Sequence, residues 1–327
     1  MIPYKRHTLS NGLTVAVNRN RQSKLAAVNI LYKVGARNEN PARTGFAHLF
    51  EHLMFRGTRA VENFDLPVQM ASGDNNAFTN NDYTDFYITL PKDNLETALW
   101  LESDRMEGLD ITPAKLEAEK KVVIEEFRQR YLNQPYGDQT MLLRALAYKV
   151  HPYRWAAIGL ATDHIAGATL ADVESFYRAH YRPSNAILSI SADMEEERML
   201  ELAEKWFAPL ADHPSATAAI PQEPMQTQAR RQEVERDVPA STVTVAYHMC
   251  ARTKLDFYTA DLVSDLLSGG DSGRLYTHLV KERNLLSSVN AYITGDVDPG
   301  LFVFTGQLLP GVTPEAAEAA FREEIEA

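Results

Sequence analysis

The feature that most restricts the fold is an internal repeat. Residues 28–37 (VNILYKVGAR) are matched by residues 243–252 (VTVAYHMCAR), and residues 46–57 (FAHLFEHLMFRG) by residues 258–269 (YTADLVSDLLSG), a spacing of about 210 residues. Solenoid units are far shorter, so the repeated unit is a domain. In each half a β-type run precedes an apolar helix, and a strand pair and another helix follow. This order predicts an α+β protein of two homologous α/β-sandwich domains, each an antiparallel-rich sheet with packed helices. Between the halves, residues 208–232 carry Pro209, Pro214, Pro221 and Pro224 without helical or strand period, as a linker does. The expected division is residues 1–210, a linker at 211–232, and a second domain at 233–327. The second copy is shorter than the first and stops in a helical pattern at residues 314–327, so an incomplete second domain is expected.

The local signals are consistent with that plan. Asn11-Gly12 between two β-type runs predicts a hairpin. Residues 26–34 form a strand pattern with Val28, Ile30 and Tyr32 on one face, and residues 38–44 a loop. Residues 46–55 are apolar nearly all round, as in a buried helix. Residues 75–80 and 82–90 read as strands. Asp93 with Glu96 reads as a capping box. Thr112-Pro113 is a helix start, a cap followed by proline at the first helical position, and that helix should run to about Tyr131. Further helices are expected at 138–150, 170–180 and 195–207, with a strand at 186–191.

Composition removes several classes of function. Asp plus Glu number 44 against 33 Lys plus Arg, a net charge of −11, and no basic stripe is present, so nucleic acid or an anionic membrane is a poor partner. A single cysteine, Cys250, excludes an internal disulfide framework and a cysteine-rich zinc site, and reads as a buried strand residue. No apolar run is long enough to span a bilayer.

The chemistry lies in the apolar helix, at His48-Leu49-Phe50-Glu51-His52. Residues four apart share a helix face, so His48 and His52 can hold one metal ion, and Glu51 sits on the same side. A lone histidine on such a helix is ordinarily structural. Three converging polar groups in an apolar helix are costly to bury without partners. The order is H-x-x-E-H, the inverse of H-E-x-x-H. Glutamate beside a zinc-polarised water serves as general base. At offset 212 the three positions fall on Ala260, Val263 and Ser264, so the second copy keeps the helix and lacks the metal groups.

A catalytic zinc takes three protein ligands and leaves a position for water. In the helix after Pro113, Glu119 and Glu126 lie two turns apart on a stripe with Leu116, Val122 and Val123. Glu117 and Glu125 fall off that stripe, near Lys121 and Arg128. Glu126 is therefore the expected third ligand, with Glu119 orienting a ligand or the water.

These segments, GFAHLFEHLMFRGT from Gly45, NNAFTNNDYTDFYITL from Asn75 and EKKVVIEE from Glu119, resemble the pitrilysin/insulinase family of zinc metallopeptidases (inverted zincins), including bacterial-type two-domain subunits and mitochondrial processing peptidase subunits. The resemblance implies one Zn2+ per chain at His48, His52 and Glu126, a general base at Glu51, a supporting Glu119, and a clamshell chamber. It also implies an edge strand, here Asn76, Ala77, Phe78 and Thr79, that pairs with peptide substrate; a turn role for Asn76 after Gly73-Asp74 is the alternative. Active relatives supply an arginine and a tyrosine from a later domain. The corresponding positions are Leu301 and Val312, which cannot donate a side-chain hydrogen bond. The expected function is zinc-dependent endopeptidase on peptides or unfolded segments, as the metal-bearing member of a dimer with a related subunit. The alternatives are a homodimer that manages without the pair and a non-catalytic scaffold subunit of the same fold. The expected compartment is cytoplasmic, or periplasmic if a leader was removed.

Overall fold

The computed structural model describes residues 2–213 and 218–327; Pro214 of the expected linker lies outside them. By contacts the chain forms two units, residues 1–130 with 150–224, and residues 131–149 with 225–327. Residues 131–149, which a linear division places in the first domain, pack with the second unit. The fold is mixed α and β, with helices beside antiparallel-rich sheets.

The first unit begins with the expected hairpin, β1 (Lys5–Thr8) and β2 (Thr14–Arg19). Then come β3 (Leu25–Tyr32), α1 (Phe46–Leu53), α2 (Asp65–Met70), β4 (Asp74–Thr79), β5 (Thr84–Pro91), α3 (Leu95–Glu107) and α4 (Pro113–Phe127). After α5 (Gln139–Ala147), which belongs to the second unit, follow α6 (Thr162–Ala166), α7 (Leu170–His180), β6 (Ala186–Ala192) and α8 (Glu196–Phe207). The six strands run in the order β1-β2-β6-β3-β5-β4, antiparallel except for β2 with β6. Val28, Ile30 and Tyr32 alternate into a core that also takes Leu49, Phe50 and Leu53 of α1. That alternation follows from the two-residue period of a strand.

The second unit holds α5, β7 (Thr242–His248), α9 (Leu255–Ser268), β8 (Leu286–Ile293), β9 (Leu301–Leu308) and α10 (Pro314–Glu326). Its three strands run β7-β9-β8, all antiparallel. Leu267, Leu275, Phe304 and Phe321 centre its core.

Several local expectations change. The capping box at Asp93 does not form. A 3-10 turn, Lys92–Asn94, leads into α3 with Asn94 as the cap residue and no side-chain cap bond, while Glu96 accepts from Trp206 Nε1 at 3.1 Å. The α-helix from Pro113 stops at Phe127 and continues as a π-turn, Arg128–Leu132. Thr112 does cap it, accepting from Lys115 N at 3.2 Å. Cys250 lies just past β7 and is only partly buried.

Candidate metal centre

Helix α1 starts at Gly45, whose φ of 90° is left-handed, a conformation that favours glycine. Bulk is also excluded there, because a Cβ would stand 2.6 Å from the Ile158 carbonyl oxygen. The helix is packed against β4, β5, α4 and α7, and His48 is only 9 % exposed. Phe50 stacks on Phe176 and Tyr181, which fixes the rotation of the helix and hence the direction of its histidines.

That rotation turns both imidazoles toward α4. Nε2 of His48 lies 3.7 Å and Nε2 of His52 lies 3.3 Å from Oε2 of Glu126. On its other side, Nδ1 of His52 is 3.5 Å from Oε2 of Glu119, a residue 1 % exposed. The opposite oxygen of Glu119 makes no well-directed hydrogen bond but stands 2.5 Å from Arg56 Nη2, so charge attraction holds that contact. Arg130 holds the outer oxygen of Glu126 at 3.2 Å. Nδ1 of His48 is buried without a hydrogen-bond partner.

The electrostatics follow from this crowding. Burial pushes His48 down to about 4, against the pull of Glu126. Burial also disfavours a charged His52, but Glu119 and Glu126 outweigh it and raise that group to about 9. The His52 hydrogen bond lowers Glu126, with burial opposing. Burial raises Glu51, with a Thr79 hydrogen bond opposing.

Two imidazoles and one carboxylate, their ligand atoms within 4.8 Å of one another, are a zinc donor set. Tetrahedral zinc with bonds of about 2.0–2.1 Å separates its ligand atoms by roughly 3.4 Å, close to the 3.3 and 3.7 Å found here. Glu119 behind His52 matches the common arrangement in which a carboxylate orients a ligating histidine. A dication would satisfy the carboxylates that a proton on His52 otherwise satisfies.

The four residues expected to converge, His48, His52, Glu126 and Glu119, do so. Glu125 points away, exposed beside Arg128. Glu117 pairs with Lys120 rather than standing near Lys121. Val122 is 43 % exposed and does not share the buried stripe of Leu116 and Val123; as the neighbour of Val123 it lies about 100° round the helix from it. Asn76, Ala77, Phe78 and Thr79 form part of β4, at one edge of the sheet and beside α1. Asn76 is a strand residue paired with Tyr87, not a turn residue. Sequence reasoning missed Arg130, which stands four residues after Glu126 and so had the i,i+4 spacing as its signal, Arg56, which is far along the chain from Glu119, and Glu39, treated below.

Residues 14–155 match the family described as insulinase (peptidase family M16), and residues 167–327 match the peptidase M16 inactive domain. The zinc protease PqqE of Helicobacter pylori is 33 % identical over 317 residues, covering 95 % of this chain and 71 % of that protein. The chain belongs to peptidase family M16. Within the family it is also 25 % identical over 309 residues to a probable mitochondrial-processing peptidase subunit beta of Arabidopsis thaliana, of which it spans 57 %. The crystal structure of a protease from Helicobacter pylori superposes with a TM-score of 0.93 at 32 % identity, covering 99 % of this chain and 79 % of that one. The M16 relatives named as zinc proteases support a peptidase. The second match agrees with α9, where Ala260, Val263 and Ser264 stand in place of the metal groups. Among the described residues no helix is long and apolar enough to cross a membrane.

Proposed function

We propose that this chain is a zinc-dependent metalloendopeptidase that hydrolyses peptides or unfolded segments. The observation that carries this reading is the convergence of His48, His52 and Glu126 within 4.8 Å, with Glu51 one residue before His52. These three residues would hold the ion. Zinc held there would supply Lewis acidity toward the scissile carbonyl and the attacking water. Glu51 accepts the proton from that water and returns it to the leaving amine, a role suited to a carboxyl raised by burial. Glu119 fixes the ring of His52 through Nδ1. The edge strand β4, with Asn76, Ala77, Phe78 and Thr79, holds the peptide extended by backbone pairing, which demands little of its sequence. The intact donor set supports a peptidase over a scaffold subunit. Elemental analysis together with hydrolysis of a quenched fluorescent peptide, with and without a chelator, tests it; metal-free protein that hydrolyses as fast as the zinc form overturns it.

The same reading makes this the metal-bearing chain of a two-chain enzyme. Leu301 is 2 % exposed in β9, and neither it nor Val312 offers a donor to a developing oxyanion. A related subunit would supply the Arg/Tyr pair. One relative is itself named as a subunit of a processing peptidase, which supports a related partner. Sizing chromatography with kinetics tests this point: full activity from the chain alone, unchanged by related chains, rejects it.

A further inference from the structure

The N-terminus of α1 is capped from a distance. Gly45 at the cap position has no side chain to offer, so the first N–H groups need another acceptor. Glu39, six residues upstream and 6 % exposed, provides it. Its Oε2 accepts from Gly45 N at 2.8 Å and its Oε1 from Ala47 N at 2.9 Å. Trp155 Nε1 donates to Oε2 at 3.2 Å and to the Ala36 carbonyl at 3.1 Å. Burial raises this carboxyl to about 8 against those donors, so the arrangement is costly. An exposed Ser or Asp at the cap position would start a helix more cheaply.

What the buried carboxyl group gains is position. The turn that carries it, Ala36–Asn38, is bonded to the turn after β4: Ala36 N donates to Asn80 O at 3.1 Å and Arg37 N to Asn81 O at 2.9 Å. Gly35 lies so close that a Cβ would meet Asp82 N at 2.5 Å. One side chain thus ties the start of α1 to the segment that closes the edge strand.

We propose that Glu39 is a positioning residue, setting the height of the first turn of α1 against the end of β4 so that His48, Glu51 and His52 meet a peptide lying along that edge. This rests on the peptidase reading above. A misplacement of about 1 Å costs on the order of 100-fold in rate, and loss of a group that orients a ligand costs about 10–100-fold in metal affinity.

The test compares wild-type chain with Glu39→Gln, and with Val15→Ala as a destabilised control in the same core but on β2. Assays are run well below the melting temperature of each. For zinc-loaded Glu39→Gln, kcat should fall about 30- to 100-fold with KM within about twofold, and zinc affinity by chelator competition should fall about tenfold. Val15→Ala should lower the melting temperature and leave kcat and zinc affinity within about twofold of wild type. If Glu39→Gln loses only melting temperature, as the control does, Glu39 is merely structural and the proposal fails. Should Glu39→Gln not fold, Trp155→Phe removes one donor to the carboxylate. A kcat about threefold lower at unchanged KM supports the proposal, and wild-type kcat overturns it. A wild-type chain that binds zinc but hydrolyses nothing removes the peptidase reading, while the zinc-affinity comparison still decides the role of Glu39.

Discussion

Helices α1 and α9 occupy matching places in a duplicated sequence and have opposite surroundings. Among residues 46–53 of α1, six are buried, and His48 is one of them. In α9 only Phe257, Ser264 and Leu267 are buried, while Leu255, Tyr258, Leu262 and Leu266 are 84 %, 62 %, 71 % and 66 % exposed. The start of α1 is bonded by Glu39; that of α9, at Lys254, has no side-chain cap bond. The difference teaches that the metal groups depend on a second layer around the helix. Imidazoles and carboxylates gain a fixed geometry only where helices such as α4 and α7 close over them. The α9 scaffold forms without the polar trio, so those groups are not needed to build the helix.

That contrast can be broken most sharply at the base. Glu51→Gln should keep zinc and reduce peptide hydrolysis about 1,000-fold, because an amide cannot take the proton. Appreciable turnover by the zinc-loaded variant would leave α1 with no catalytic advantage over α9. The next largest effect is on metal retention. Glu126→Gln should weaken zinc binding by at least about 100-fold, while Glu125→Gln stays within about twofold; elemental analysis showing the reverse order would mean the wrong face of α4 meets α1.

A smaller effect is expected in the pH dependence of the metal-free protein. His52 is raised in the folded state to about 9, above its unfolded value of about 6.5. Its contribution to stability is full below pH 6.5 and is lost as pH rises toward 9. His48, lowered to about 4, acts in the other direction: between pH 4 and 6.5 the unfolded chain binds more protons, so stability rises with pH there. Together these two histidines make a contribution to the stability of chelator-treated protein that peaks near pH 6.5, on top of what other buried groups such as Glu39 contribute. Glu126→Gln removes one of the two partners of His52 and should flatten the fall on the alkaline side. A metal-free melting profile that climbs steadily from pH 6.5 to 9 would contradict the charge pattern at the site. The smallest expected change is a null transplant. Introducing Ala260→His, Val263→Glu and Ser264→His into α9 should leave zinc at one per chain, since two histidines without a covering carboxylate do not complete a site. Two zinc ions per chain would show that the pentapeptide alone is enough.

The legible parts of the molecule were those with a strong period. The strand alternation of Val28, Ile30 and Tyr32, the cap at Thr112, and the seven-residue spacing of Glu119 and Glu126 on one helix are short-range facts, and they survive in the fold. Asp93 misled because a 3-10 turn intervened, moving the cap position one residue on to Asn94. Residues 131–149 carry ordinary helical signals, and nothing local tells which core they join. Glu39 was unreadable for a related reason: an acidic residue in a loop looks solvated until the chain folds back and brings Gly45, Ala47 and Trp155 around it. Contacts made across more than a turn or two leave no period behind.

The two flanks of the large sheet are unequal. β1 ends it on one side with Lys5, Arg6 and His7, all exposed, and the two cationic side chains, Lys5 and Arg6, discourage a second sheet from docking there. β4 ends it on the other with Asp74, two asparagines, Ala77 and a 43 % exposed Phe78, a far lighter guard. If β4 receives peptide as proposed above, the same open edge can also pair with a neighbouring copy. On that reading peptide and neighbouring copies would compete for one seam, and a tight-binding peptide should keep this chain from self-associating.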